Sequence, residues 1–314
     1  MKRSKTEYRV GDNLEGLKDL ETESVQLCYF DPVYNTGRNF NDFNDKFESM
    51  EAYKSFMLPR IQEVHRVLKN TGTVVVHVEP RISHHLRYLL DEVFGEKNFM
   101  NEIVWQTGGN AKCLKNLNRH HDTIIVYAKK KSKQQFYPLY KPYSKEYKTN
   151  NNIKICDHHK KEYITCAIHN SQPDVNPRPN LRYEWNGNHR QWYVRQERMQ
   201  ELHNDHRLVY NAHGVPRIKR FLDEMEGIPI KDVWTNISNT QRGEKLDYAT
   251  QKPVKLLERI LRLYTIEGDL VLDIFAGSGT TGRACIALNR LYILLDISQK
   301  GYDIFTDSVK RIKQ

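Results

Sequence analysis

The chain has 314 residues, 39% hydrophobic and 28% charged, with a formal net charge of +10, which suits one large core plus a substantial insertion rather than intrinsic disorder. No run approaches the roughly 18 apolar residues of a membrane span, and Met1-Lys2-Arg3-Ser4-Lys5 leads into no apolar segment, so a soluble, cytoplasmic protein with no membrane partner is expected.

Tyr8-Arg9-Val10 and Gly11-Asp12-Asn13 read as a short strand and turn, and residues 14–20 as a brief helix that Asp12 can cap. The apolar run Val25-Gln26-Leu27-Cys28-Tyr29-Phe30 stops at Asp31-Pro32. Because Pro32 cannot donate to a ladder, the run predicts a parallel strand reaching its carboxyl end, where open α/β sheets bind ligands. Asp31-Pro32-Val33-Tyr34 gathers a carboxylate, a ring-fixed carbonyl and an aromatic face, which are the parts needed to hold a planar base by its exocyclic amine. Residues 35–47 lack periodicity and read as a mobile loop over that site. Residues 50–69 carry Tyr53, Phe56, Met57, Ile61, Val64 and Leu68 at helical spacing.

A buried strand is predicted at 72–78, a helix with Leu86, Leu89, Leu90, Val93 and Phe94 on one face ending at Gly95, and strands at 102–106 and 123–128. This alternation indicates a doubly wound, mostly parallel α/β sheet. From Lys129 onward the pattern becomes irregular, with one helix expected over 190–204 carrying Trp192, Val194 and Met199. Residues 111–220 hold 22 Lys and Arg against 9 Asp and Glu, a concentration that points to nucleic acid. Five cysteines, an odd number, fit a reducing compartment. Cys156, His158, His159, Cys166 and His169 do not follow zinc-ligand spacing, so no metal is expected there.

Lys252-Pro253 opens a helix with Val254, Leu256, Leu257, Ile260 and Leu261 on one face. A strand at 270–273 runs into Gly277-Ser278-Gly279-Thr280-Thr281-Gly282, a G-x-G-x-x-G turn and helix start, and the strand 291–295 closes at Asp296. The glycine turn by itself is cofactor-neutral, and Asp296 would equally suit a nicotinamide dinucleotide. Only 18 residues follow Asp296, too few to complete a sheet, so the Asp31 strand must stand beside the glycine loop.

Asp31 to Gly37, DPVYNTG, is similar to the DPPYNTG signature of amino-methyltransferases that act on DNA, and Asp273 to Gly282, DIFAGSGTTG, resembles their S-adenosylmethionine loop. Their order resembles the permuted β group, which includes the modification subunits of type III restriction systems. Gly11-Asp12-Asn13-Leu14, His121-Asp122 with Thr123 to Tyr127, and Thr250-Gln251-Lys252-Pro253 extend the likeness, and the surroundings of 187–195 and 215–225 match more loosely.

The resemblance implies a Rossmann-like methyltransferase fold in three parts: an N-terminal catalytic part over 1–128, an inserted basic target-recognition domain over 129–235, and a C-terminal catalytic part over 236–314. It implies methyl transfer from S-adenosyl-L-methionine to adenine N6 in double-stranded DNA. Aspartate rather than serine at position 31 favours adenine over cytosine N4. Cytosine-N4 DNA methylation or RNA methylation, and a catalytically inactive DNA-binding subunit, are the alternatives, the last because Val33 replaces a usual proline. Asp31 and the Pro32 carbonyl would accept the amine hydrogens while Tyr34 stacks on a flipped base. Asp12 would lie near the cofactor's adenine, Phe275 along the adenosyl group, Gly277 and Gly279 in the close-approach turn, and Asp296 on the ribose hydroxyls. Asp273 and Lys252 would lie near the methionine amine and carboxylate, although Lys252 equally suits an exposed first-turn lysine. No G-x-x-x-x-G-K-[ST] loop occurs, so any restriction subunit would be a separate polypeptide; a homodimer is left open.

Overall fold

The computed structural model describes residues 6–40, 43–108, 117–240 and 243–312. The chain forms two compact units, Met1–Leu139 with Lys231–Gln314, and Tyr140–Ile230. The larger unit is built on an eight-stranded sheet of β1 (Thr6–Val10), β2 (Val25–Phe30), β3 (Leu68–Val78), β4 (Phe99–Gln106), β5 (His121–Ala128), β6 (Val233–Trp234), β7 (Leu270–Asp273) and β8 (Leu291–Asp296). Their order is β1-β8-β7-β2-β3-β5-β4-β6. Of these strands only β5 runs antiparallel to its neighbours, so this is the expected mostly parallel sheet. All six residues of β2 are buried, because a central parallel strand is covered on both faces and its apolar residues need not alternate.

The helices of this unit are α1 (Asn13–Lys18), α2 (Met50–Val67), α3 (Pro80–Phe94), α4 (Val254–Tyr264), α5 (Thr280–Ala287) and α6 (Gln299–Ile312). Ser49 caps α2 by accepting from the Ala52 N–H at 3.0 Å, and the helix buries Tyr53, Met57, Ile61 and Val64. The helix expected to run to residue 69 ends at Val67, where the chain turns directly into β3. α3 begins on Pro80, whose missing N–H costs nothing in a first turn, and stops at Gly95 with φ of 81°. Among the described residues no helix is long and apolar enough to cross a membrane.

Register fixes which residues meet. Leu27, Cys28 and Tyr29 stand opposite Val271, Leu272 and Asp273, while β8 pairs in parallel with both β7 and β1. The carboxyl ends of β1, β8, β7 and β2 therefore share one sheet edge, which carries Asp12, Asp296, the 274–279 turn and Asp31.

The smaller unit has a four-stranded antiparallel sheet ordered Leu208–Tyr210, Pro216–Phe221, Glu162–Ala167, Lys154–Ile155. It begins and ends in a strand pair, Tyr140–Lys141 with Ile228–Pro229. Ile168, Trp192, Met199, Leu202 and Leu208 form a core. The helix expected over 190–204 is confined to Gln196–Asn204. Arg190 and Gln191 belong instead to a hairpin of Arg182–Trp185 with Asn188–Gln191. Asn186 and Gly187, at φ of 49° and 73°, make its turn, an Asn-Gly signal that the apolar spacing of Trp192, Val194 and Met199 obscures.

The smaller unit lies within the 129–235 segment but is shorter at both ends. Lys129 is buried, its Nζ donating to the Leu68 carbonyl at 2.6 Å; Tyr137 N–H donates to Leu263 O at 2.8 Å; and Val233–Trp234 is β6 of the main sheet. Residues 140–230 carry fifteen Lys and Arg against eleven Asp and Glu, so much of the middle basicity belongs to the larger unit.

Candidate functional site

The shared sheet edge opens into a cleft of about 870 Å³, lined by Asp31, Pro32, Tyr34, Lys252, Asp12, Asp273, Phe275, Gly277 and Asp296 among others. Residues from the two ends of the sequence thus face one cavity, as the strand order requires.

Asp31 is held from two sides. The Tyr34 hydroxyl donates to its Oδ1 and the Lys252 ammonium pairs with its Oδ2. Burial, with the Asp31 charge next, pushes the Tyr34 phenol well above its ordinary pKa, so it stays a donor. The resemblance puts Lys252 beside a methionine carboxylate; here its ammonium sits on Asp31, with the side chain only 16% exposed. Val33 packs against the core, which an apolar side chain achieves as well as a second proline.

Beyond Tyr34 the chain is not the irregular loop that its composition suggests. Arg38–Phe40 and Phe43–Asp45 pair as a short hairpin. Asp45, 2% exposed, accepts from the Asn35 N–H at 2.7 Å, the Thr36 N–H at 3.1 Å and the Thr36 hydroxyl. Asn35 Oδ1 in turn accepts from Phe47 N–H at 2.9 Å. The wall following Tyr34 is therefore organised by one buried carboxylate.

Behind Tyr29 and Asp122 lies a second polar group. The His77 ring, fully buried, contacts the Tyr29 hydroxyl through Nδ1 and Asp122 Oδ2 through Nε2, each at 3.1 Å. Burial alone would raise the Asp122 carboxyl, but the His77 hydrogen bond and charge, with Lys252 and Arg119 nearby, hold it below the usual carboxylate range. Tyr29 and Asp122 both line the cleft.

At the glycine-loop end, Asp296 Oδ2 accepts the Gly277 N–H at 2.8 Å and its Oδ1 accepts the Ser298 N–H at 2.8 Å. Gly277 has φ of +50°, and a Cβ there would stand 3.1 Å from the Tyr248 ring. Gly279 has a packing role. It does not line the cleft; it opens α5 at φ of +70°, and an added Cβ would collide with the Phe305 ring. Asp273, 2% exposed, accepts from the Phe275 N–H at 3.0 Å and from the Thr281 hydroxyl. Burial drives its carboxyl up to about 7 against those two hydrogen bonds, making it the brace of the turn. Phe275 stands between Phe30 and Phe56, with ring centroids at 6.1 and 6.4 Å.

Asp12 combines two roles. It caps α1 through Leu14 N–H at 2.8 Å, and its Oδ2 pairs with Arg60 Nη2 at 2.7 Å. Arg60 lies over the Phe56 ring at 3.6 Å. Asp45, His77, Arg60 and Tyr248 carry no role at the sequence level. Two of them leave a signal: Arg60 interrupts the buried face of α2 between Met57 and Ile61, and His77 interrupts the apolar run Val74–Val78 at the end of β3. In the smaller unit, Cys156 Sγ lies 3.1 Å from Lys219 Nζ and 3.4 Å from His159 Nδ1. Burial opposes ionisation there, but the hydrogen bonds from His159 and Lys219 draw the thiol down to about 6.

Comparison with known proteins agrees with this geometry. The chain is 28% identical to the Mod subunit of the type III restriction-modification enzyme StyLTI of Salmonella typhimurium, across 95% of this chain and 53% of that protein. It is 27% identical to the type II methyltransferase M.KpnI of Klebsiella pneumoniae, across 90% and 76% respectively. The chain thus spans about half the length of the Salmonella protein. Its fold matches a DNA modification methylase of Thermus thermophilus with a TM-score of 0.53 at 18% identity, covering 98% of this chain and 95% of that one. It matches the cytosine-N4-specific PvuII DNA methyltransferase with a TM-score of 0.50 at 18% identity, covering 97% and 93%. The model of the family described as DNA methylase matches residues 25–307, nearly the whole span from β2 into α6, and the chain belongs to that family.

Proposed function

We propose that this chain transfers the methyl group of S-adenosyl-L-methionine to the N6 of an adenine in double-stranded DNA, with the base turned out of the helix. The observation that carries this is the common cleft, in which Asp31 and Pro32 face the same space as Gly277 and Asp296. A methyl can pass only between groups bound in one cavity.

The glycine-loop end suits the cofactor. Asp296 accepts the Gly277 and Ser298 N–H groups through its two carboxylate oxygens, which fixes it at the turn as the proposed partner of the ribose hydroxyls. Phe275 and Ile297 supply apolar lining, and Gly277 leaves its backbone bare beside Tyr248. When bound, the cofactor supplies a sulfonium methyl already activated for transfer.

The protein's own contribution is to the weak nucleophile. An exocyclic amine delocalises its lone pair into the base, and two acceptors on its hydrogens restore that pair to nitrogen. Asp31 and the Pro32 carbonyl are those acceptors. Asp31 already accepts from Tyr34 and Lys252, but a carboxylate has about four acceptor positions. Its partners therefore orient it without exhausting it. Such positioning and preorganised electrostatics lower the barrier; as the N–CH3 bond forms the S–CH3 bond breaks, the thioether departs, and the methylated amine, by then strongly acidic, gives its surplus proton to water without a strong base. A base inside a duplex cannot reach this depth, hence the flipped geometry, with the ring of Tyr34 available for stacking.

Transfer of labelled methyl from S-adenosylmethionine to duplex DNA, followed by nucleoside analysis, tests the proposal; N6-methyladenine is the expected product. The fold likeness to a cytosine-N4-specific enzyme makes N4-methylcytosine the second reading, and its appearance in place of N6-methyladenine would overturn the first. The names of the relatives support a place in restriction-modification with a separate restriction polypeptide. The basic residues at 111–220 support DNA as the substrate and the 129–235 segment as its reader, in a cytoplasmic setting. A homodimer would be tested by sedimentation.

A further inference from the structure

A cleft of about 260 Å³ opens on the smaller unit, lined by Asn170, Gln172, Val175, Arg178, Gln191 and Tyr193, with Asn176 at its side. It is smaller than the roughly 300–1,000 Å³ of pockets that enclose drug-sized ligands, and suits a single ring system.

The base of the cleft is rigid. Gln191, 4% exposed, donates through Nε2 to the Asn176 carbonyl at 2.9 Å and accepts through Oε1 from the Arg178 N–H at 2.8 Å. Asn170 N–H donates to the Gln191 carbonyl at 2.8 Å, and Asn170 Oδ1 accepts from Gln172 N–H at 2.9 Å. Two amide oxygens of the floor are thereby occupied by backbone donors. The Asn170 Nδ2 and the Arg178 guanidinium make no hydrogen bond or ion pair among the described residues. These two groups at the base are both donors, while the Gln172 amide in the lining carries a donor and an acceptor.

Its rim is apolar. Tyr193 is 54% exposed and Val175 is 80% exposed, and their main chain is held, Tyr193 N–H donating to Ile168 O at 2.9 Å and Val175 N–H to Gln172 O at 3.3 Å. An exposed aromatic ring held beside an unpaired guanidinium is matched by a flat, π-bearing ligand that carries adjacent acceptors. Guanine alone among the four DNA bases presents two acceptors, N7 and O6, with no donor or methyl on the same edge; adenine would set its N6 amine against the donors.

We propose that this cleft reads a guanine of the target sequence, Arg178 and Asn170 donating to its N7 and O6 edge and Tyr193 with Val175 packed beside that edge. This rests on the reading of the chain as a DNA methyltransferase, and the experiment has two arms so that each can fail alone.

In the first arm, methylated bases are mapped in DNA from cells that express the chain or its Arg178→Ala or Tyr193→Ala variant. One guanine of the wild-type consensus is expected to become degenerate in Arg178→Ala, with discrimination falling roughly tenfold to a hundredfold, the scale of one bidentate base contact. An unchanged consensus, or relaxation at a position other than guanine, overturns the assignment. In the second arm, the full chain is titrated by fluorescence anisotropy with a single-stranded oligonucleotide of one guanine among thymines, and with its 7-deazaguanine counterpart. The guanine form is expected to bind about tenfold tighter, a preference lost in Arg178→Ala; equal binding by the wild type overturns the proposal. If the wild type methylates no DNA but keeps the guanine preference, the enzymatic reading fails and the cleft stands.

Discussion

Lys252 reaches across 221 residues of sequence to place its ammonium on the carboxylate of Asp31, with both side chains about 15% exposed. A partly buried ion pair in a catalytic cleft has an asymmetric energetics, because removing one partner leaves the other desolvated and alone. Lys252→Gln keeps a hydrogen-bond donor while removing the charge, and single-turnover methyl transfer should fall about 10- to 100-fold. Asp31→Ala should slow transfer far more than Lys252→Gln, to a residual single-turnover rate, while retaining DNA binding. The double variant should be no slower than Asp31→Ala, since Lys252 acts through Asp31. A further drop in the double variant would show that Lys252 has an independent task.

Asp45 satisfies two backbone N–H groups and one hydroxyl directly after the Asp31–Tyr34 segment. Buried donors left unpaired cost about 1–3 kcal/mol each. Asp45→Ala should therefore lower stability by about 2–4 kcal/mol in urea titration, and lower transfer more than cofactor affinity because Tyr34 is the adjoining support. Asp45→Asn, which retains one acceptor oxygen, should recover part of both.

The two glycines of the turn should separate in their effects. Gly279→Ala imposes a left-handed conformation on an L residue and drives a Cβ into the Phe305 ring, so loss of folded protein is expected. Gly277→Ala meets the Tyr248 ring at a less severe 3.1 Å; there, folding should survive and S-adenosylmethionine binding by calorimetry should weaken, by roughly tenfold for each 1.4 kcal/mol of misfit. Equal behaviour of the two variants would contradict the division between a packing glycine and a cleft glycine.

The main sheet was legible in the sequence because its signals are local and strong. The buried run from Val25 to Phe30 ends at a proline, the 270–273 run ends at a glycine turn, and too few residues follow Asp296 to finish a sheet, so the two segments had to be neighbours. The sequence alone therefore places Asp31 beside the glycine loop. The supports were not legible, because they depend on contacts between distant residues of ordinary type. Nothing local marks Asp45 as the partner of Asn35 and Thr36, or sends Lys252 to Asp31. The smaller unit is the least legible: its strands are short, its core is small, and Trp192, Val194 and Met199 mimic a longer helix although Trp192 follows a hairpin and bridges to His169 while only Met199 lies in the helix. The motif alone assigns Gly279 to ligand approach, whereas its packing partner Phe305 lies on a helix that the motif does not mention.

Asp273 links the turn to pH. Its carboxyl is raised to about 7 by burial, above the usual 3.9 or so of an unfolded aspartate. In the unfolded chain it releases its proton near pH 4, while the folded chain keeps it until about pH 7, so between those limits the folded state binds more protons. Stability must then fall as pH rises across that window. The contribution is fully present below pH 4 and is lost as pH passes through 7, amounting to roughly 4 kcal/mol if the full separation is realised. Asp273→Asn removes the titration while its oxygen can still accept from Phe275 N–H and its amide can donate to the Thr281 hydroxyl. Urea titrations at intervals from pH 4 to pH 8 should show the variant losing less stability than the wild type across the window. Parallel curves for the two proteins would mean that the carboxyl is ionised in the folded state throughout, and that the turn is braced by a charge rather than by an acid.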